Sequence, residues 1–299
     1  MNVASDNAKQ DIWKAWLLER RFAGSEARLQ EALQDFLYPV RDKVLDNANL
    51  KENETLLDVG CGDGLVGFGA LTRFDAGRVV FSDISQELLD HSAELAQQMD
   101  AAARCDFVQA SADELAGIAD GSVDVVTTRS VLIYVADKGK AFQEFYRVLK
   151  ENGRLSIFEP INNFDYPPPR HIFMGRDVTP IMEITDKIKS VYLALQPPET
   201  DPMLNFDERN LFALAETAGF SKVHLELKLE LKPSPKSWTW ENAMNTAGNP
   251  KIPALAEAID QALTDTEKEQ FVSYLRPRFE ASKGISRSAV AYLWATKTV

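Results

Sequence analysis

Leu56-Leu57-Asp58-Val59-Gly60-Cys61-Gly62-Asp63-Gly64 constrains this chain more than any other stretch. An apolar run with an acid near its end meets a glycine at every second position. Leu56, Leu57 and Val59 suit a parallel strand buried on both faces. The glycines then let the backbone turn sharply with no Cβ in the way of a ligand. Leu65 to Phe74 reads as the helix that follows. Strand, glycine turn and helix together aim backbone N–H groups at a nucleotide-like ligand. Gly62-x-Gly64-x-x-Gly67 also fits the dinucleotide fingerprint, so the turn alone leaves two cofactor classes open.

The next segments extend the pattern. Arg78 to Asp83 reads as a second strand ending in an acid about 20 residues past the glycines, where a carboxylate can accept two ribose hydroxyls. The competing role for Asp83 is to cap the helix Gln86–Gln98, a role Ser85 can also fill. Cys105 to Ala110, Ser122 to Arg129 and Arg154 to Phe158 read as three further strands. Lys138 to Leu149 is a helix with Ala141, Phe142, Phe145 and Leu149 at helical spacing. Val223 to Leu231 alternates strictly, with leucines on one face and His224, Glu226, Lys228 and Glu230 on the other, as a half-exposed strand does. Ala289 to Thr296 is the last strand.

Taken in order, these segments resemble the class I S-adenosylmethionine methyltransferases of the ubiquinone/menaquinone type. Asp58, Gly60, Gly62 and Gly64 match the first motif, E/D-x-G-x-G-x-G. Ser122 to Arg129 resembles the F-D-x-V segment, with Val123 for the usual aromatic. Arg147 to Leu155 resembles R-x-L-K-P-G-G-x-L, with Glu151-Asn152 replacing Pro-Gly. The resemblance runs from about residue 54 to 160 and returns at the Ala218-Gly219-Phe220 helix end. It implies an α/β, Rossmann-like doubly wound sheet, mostly parallel with the last strand antiparallel, carrying helical cap insertions. It also implies S-adenosylmethionine as cofactor, held by Asp58, Gly60, Cys61, Gly62, Gly64, Asp83, Ile84, Ser111, Ala112 and Arg129. Ser111 stands where many relatives place an Asp that receives the adenine amino group, which leaves the Ala112 N–H as the expected contact.

The chain divides into an N-terminal helical lid (1–50), the cofactor core (51–160), a cap insertion (161–204), a core helix and strand (205–231), a helical insertion (232–286) and the final strand (287–299). Trp13 and Trp16 share a face of the first helix, as core packing or as a lid. The first insertion opens with Asn162 to His171 around a stiff triple proline. Trp238 and Trp240 mark the second, which reads as two helices.

The net charge of −12 over 299 residues argues against a phosphate backbone as partner. Short basic runs such as Glu19-Arg20-Arg21 read as solvated helix surface. The two cysteines show no metal-ligand spacing, and their scarcity suits a reducing compartment. The polar first ten residues lack a signal-peptide core, and no run of ~18 apolar residues is present. The expectation is a cytoplasmic enzyme, monomeric or homodimeric, acting on a small molecule with no metal, nucleic acid or membrane.

A sulfonium methyl donor needs alignment and dryness more than a fixed catalytic motif. Candidate acceptor-side groups are Glu159 at the end of the fifth strand, His171 in the proline loop, and Arg129, which can also bind the cofactor carboxylate or serve as a salt-bridge partner. Three other readings stay open: methylation of RNA or protein, a nicotinamide-dependent oxidoreductase, and a cofactor-binding protein without turnover.

Overall fold

The computed structural model describes residues 11–22, 24–74, 77–281 and 283–298. Residues 1–10 of the expected lid and residue 299 of the expected final strand lie outside them. Helices separate strands β1 (Thr55–Val59), β2 (Arg78–Asp83) and β3 (Cys105–Gln109), a loop joins β3 to β4 (Val123–Arg129), and a helix again separates β4 from β5 (Leu149–Pro160). After a two-residue-per-strand hairpin, β6 (Ile172–Phe173) and β7 (Arg176–Asp177), come the long β8 (Ser221–Pro233) and β9 (Ile285–Thr296). Seven strands form one sheet in the order β3-β2-β1-β4-β5-β9-β8. The first five are parallel, and β9 runs antiparallel to both β5 and β8. This is the expected doubly wound sheet with a reversed last strand.

Helices α1 (Ile12–Ala15), α2 (Glu26–Ala32) and α3 (Tyr38–Ala48) precede the sheet. A π-helical turn, Trp16–Arg20, extends α1, and another, Leu33–Leu37, joins α2 to α3. From Glu26 to Ala48 the helical lid is therefore one continuous run. Pro39, which has no N–H to give, falls directly after the π turn, where the Tyr38 N–H bonds to the Leu33 carbonyl. Helices α4 (Leu65–Arg73) and α5 (Gln86–Gln98) pack with α3 on one sheet face, around Val44, Leu45, Val66 and Phe81. On the other face lie α6 (Lys138–Val148) and, further along the chain, the helix Glu208–Thr217, around Phe142, Phe145 and Leu211. Covering both faces is what leaves successive residues of β1 and β4 buried, with no exposed alternate side.

The two insertions fold against each other. Helix α7 (Met182–Leu195) lies in the first. After α8 (Glu208–Thr217), the second supplies α9 (Trp240–Asn245), α10 (Leu255–Ala262) and α11 (Asp265–Glu280), three helices where the sequence suggested two. Ile184, Ile188, Trp240, Leu255, Phe271 and Leu275 make a separate core for this cap. The alternation of β8 holds, but its leucine face is covered only near the start. Leu229 and Leu231 are 52% and 67% exposed, because α8 ends before it reaches them. Among the described residues no helix is long and apolar enough to cross a membrane.

Arg147 shows why one matched motif residue is an arginine. Its guanidinium donates to the carbonyls of Leu115 and Ile118, at 3.2 and 2.9 Å, and to Glu144 and Asp120. Glu144 in turn accepts the Leu115 N–H at 2.8 Å. The network ties the loop after β3 to α6, and a planar fork of donors suits it as a lysine would not. Replacing Arg147 with Met should lower stability in urea unfolding by about 1.5–3 kcal/mol and speed hydrogen exchange in residues 111–118. Unaltered exchange there would separate the arginine from the loop.

Candidate functional site

The carboxyl ends of β1, β2, β3 and β4 open into one cavity of about 580 Å³. Ligands of open α/β sheets bind at this end. Asp58, Gly60, Cys61, Gly62, Asp83, Ile84, Ser111, Ala112 and Arg129 all line it. Gly64, the remaining residue of the expected cofactor set, lies one step behind the wall and donates its N–H to the Cys61 carbonyl at 2.9 Å.

Buried carboxylates hold the turn. Asp58, 2% exposed, accepts the Gly67 N–H at 3.0 Å and the Thr127 hydroxyl at 3.1 Å. Asp83 accepts the Gly62 N–H with one oxygen and the Ser85 N–H with the other, both at 2.9 Å. Each Asp83 oxygen keeps a lone pair for a ribose hydroxyl. Its capping role passes to Ser85, whose hydroxyl accepts the Leu88 N–H. Burial pushes the Asp58 carboxyl up to about 7 and raises Asp83 as well. It raises the Cys61 thiol too, which makes that residue a wall and not a nucleophile.

Gly60 and Gly62 take φ of 63° and 57°, the left-handed region that favours glycine. A Cβ on Gly60 would lie 2.4 Å from Val131 Cγ2. A Cβ on Gly62 would lie 3.1 Å from Leu17 Cδ2, so the lid rests directly on the turn.

The lid is fastened at several points. Asp11 caps α1 by accepting the Trp13 and Lys14 N–H groups, and its other oxygen accepts the Ser85 hydroxyl at 2.5 Å. Trp13 packs edge-on to Tyr134, with ring centroids 4.9 Å apart. Trp16 donates its indole N–H to the Ala247 carbonyl at 2.9 Å. Trp13, Trp16, Leu17, Arg21 and Phe22 from the lid, with Phe36, roof the cavity. Tyr134, Asn162, Met203, Thr246 and Gly248 close its far end.

Two expected acceptor-side groups are elsewhere. Glu159 is fully buried behind the wall, where it accepts the N–H groups of Val131, Leu132 and Ile133 at 3.0, 2.9 and 3.2 Å. It positions the loop that carries Tyr134. His171 is exposed and does not line the cavity, because the β6–β7 hairpin turns that segment outward, with the Val178 N–H bonded to the His171 carbonyl. Phe164 is 50% exposed, Trp240 sits in the cap core, and Trp238 lines an adjoining groove.

Arg21 was missed in the sequence as helix surface. That reading holds for Arg20, which pairs with Glu257 at 2.6 Å, but Arg21 turns inward. The four-residue spacing of Trp13, Leu17 and Arg21 was the available signal.

The cavity fits S-adenosylmethionine by its own features. It has a glycine turn that tolerates close approach, an acid with free lone pairs beside it, and the apolar Ile84 and Ala112 in its wall. Among the described residues no cluster of side chains suits a metal ion.

Comparison with known proteins gives concordant findings. Residues 57–157 match the methyltransferase-domain family. The ubiquinone/menaquinone biosynthesis C-methyltransferase of Enterobacter sp. strain 638 is 34% identical over 117 residues, covering 38% of this chain and 46% of that protein. The chain thus spans less than half the length of such curated relatives. Phosphoethanolamine N-methyltransferase 2 of Haemonchus contortus, solved with S-adenosyl-L-methionine, superposes with a TM-score of 0.52 at 18% identity, over 88% of this chain and 53% of that one. The [4+2]-cyclase SpnF superposes with a TM-score of 0.53 at 18% identity, over 94% and 88%. At such identities the likeness is one of fold.

Burial also raises the Glu159 carboxyl to about 7, against three opposing backbone hydrogen bonds. A carboxyl raised in the folded state favours folding most when protonated, so its contribution is lost as pH rises from about 4.5 to about 7. The stability of wild type relative to Glu159→Gln should therefore fall across that window and level off above it. Urea unfolding at a series of pH values measures this, and a flat difference would show an ordinary carboxyl at 159.

Proposed function

We propose that this chain, which carries a class I S-adenosylmethionine-dependent methyltransferase core, transfers a methyl group to a small-molecule acceptor at oxygen, nitrogen or carbon. The single observation that carries the reading is the shape of the cavity. One end is a glycine turn with Asp83 beside it, and the other is a lidded, aromatic-walled chamber reached from the same space. S-adenosylmethionine supplies a methyl on sulfonium, already a strong electrophile.

The chain's own task is to bind, orient and exclude water. Asp83 accepts the ribose hydroxyls. Ile84 and Ala112 flank the base, and the Ala112 N–H is the donor available to it. Arg129, alongside Gly60 in the strand next to β1, faces the cofactor's carboxylate. Trp13, Trp16 and Leu17 shut out solvent above the turn. Burial pushes the Tyr134 hydroxyl up to about 12, so at neutral pH it is protonated and free to donate to a bound acceptor. The acidic balance of the chain favours a small acceptor over RNA.

The test is incubation with methyl-labelled S-adenosylmethionine and fractionated extract. Label should enter the small-molecule fraction, for identification by mass. Label confined to RNA or protein, or tight cofactor binding with no transfer to any fraction, would sink the small-molecule reading. Asp83→Ala should weaken S-adenosylmethionine and its demethylated product alike, by about 1.5–3 kcal/mol in calorimetry. A loss for one and not the other would place Asp83 away from the ribose they share.

A further inference from the structure

We propose that the methyl acceptor is an organic acid, flat and partly apolar, whose carboxylate is held by Arg21 of the lid. This rests on the methyl-transfer reading above. The acids and bases lining the cavity are unequally satisfied. Asp58 and Asp83 are held by backbone N–H groups, and Asp113 accepts the Ser111 hydroxyl. Arg28 donates to Thr246 Oγ1 and lies over Trp238 at 4.4 Å. Arg21 and Arg129 also line the cavity, yet neither has an ion pair or a hydrogen bond from its guanidinium to any of the described residues. Asp63 acts on Arg21 only through space.

The cofactor's single carboxylate can neutralise one of these two cations. Asp58 acts on Arg129 and Asp63 on Arg21 only through space, so the second guanidinium still has no anion in direct contact when the cofactor is bound. Leaving a partly buried guanidinium without one is costly. Burial and the neighbouring Arg129 already pull Arg21 down to about 10, which still leaves it charged at neutral pH.

Position decides which arginine serves which ligand. Arg129 ends β4 alongside the glycine turn. Arg21 enters from the lid, with the rings of Phe22 and Trp16 at 5.1 and 5.6 Å from its guanidinium. Those rings, with Phe36 and Tyr134, form apolar walls suited to a flat body behind a carboxylate. Because Arg21 reaches the cavity only with the lid in place, recognition of the acid and closure over it become one event.

The experiment titrates benzoate, phenylacetate and cinnamate, each against its neutral amide, into protein saturated with S-adenosylhomocysteine. At least one carboxylate should bind about tenfold more tightly than its amide. Arg21→Gln should abolish that preference with S-adenosylhomocysteine affinity unchanged, and Arg21→Lys should keep part of it. The proposal is overturned if no carboxylate outbinds its amide. It is also overturned if Arg21→Gln weakens S-adenosylhomocysteine as strongly as the acid, since Arg21 would then clamp the cofactor. Failure of wild type to bind S-adenosylhomocysteine at all would remove the methyl-transfer reading itself, and is seen before any acid is added.

Discussion

Asp83 accepts the Gly62 N–H with one oxygen and the Ser85 N–H with the other, and the rest of the site hangs from that pair of bonds. The first fixes the glycine turn of β1 to the end of β2. The second sets Ser85, whose hydroxyl reaches Asp11, and Asp11 caps the lid helix. Three short links thus join the floor of the cavity to its roof. Burial makes each link stronger than it would be in water, at the cost of raising the carboxyl's proton affinity. A ligand that touched Asp83 would act on the floor and on the root of the lid at once.

The part of the site legible in the sequence is the part made by consecutive residues. A strand end, its glycines and the acid closing the next strand are local features, and their spacing follows from the geometry of a strand–helix–strand unit. Asp58, Gly60, Gly62, Asp83 and Ser111 could therefore be read without a structure. The doubly wound sheet and the reversal of its last strand are legible by another route, as what the family resemblance of the motifs implies, while the order of the strands is not. What was not legible comes from contacts between distant segments. Trp16 meets Ala247 across 231 positions, and nothing near either residue announces it. Glu159 lies near the end of its strand, as the sequence indicates, but it does not reach the cavity where an acceptor-side group is expected. Three backbone donors claim its carboxylate, and backbone donors leave no trace in side-chain patterns. His171 was judged by its nearness to β5 in the chain, while a small hairpin takes it elsewhere.

The two insertions explain why the lid can be short. Helices α7, α9, α10 and α11 bury an apolar core of their own, and the Ile285 N–H of β9 bonds to the Gly175 carbonyl to tie the cap to the sheet. The lid then needs only a handful of anchors to that cap. Trp16 on Ala247, Arg28 on Thr246 and Arg20 on Glu257 supply them. The exposed ion pair is worth little, whereas the indole bond and the packing beneath it are sheltered. A lid held this way can be firm when closed and still cost modest free energy to lift, since it gives up few buried groups.

This division of labour bears on why the same fold supports different chemistries, a cyclase among them. The floor of the cavity is set by backbone N–H groups and carboxylates that the fold itself demands, and it leaves little room for variation. The chamber beyond it is set by side chains from the lid, the β4 loop and the late insertion, none of which holds the sheet together. Tyr134 illustrates the point. Its ring leans on Trp13 of the lid, its loop is gripped by Glu159 from behind, and its hydroxyl is kept protonated by burial. Three separate parts of the chain thereby fix one hydroxyl-bearing ring in the cavity wall. The chamber end of the cavity is thus built by packing between distant segments, whereas its turn end is built within one strand–turn–helix–strand unit.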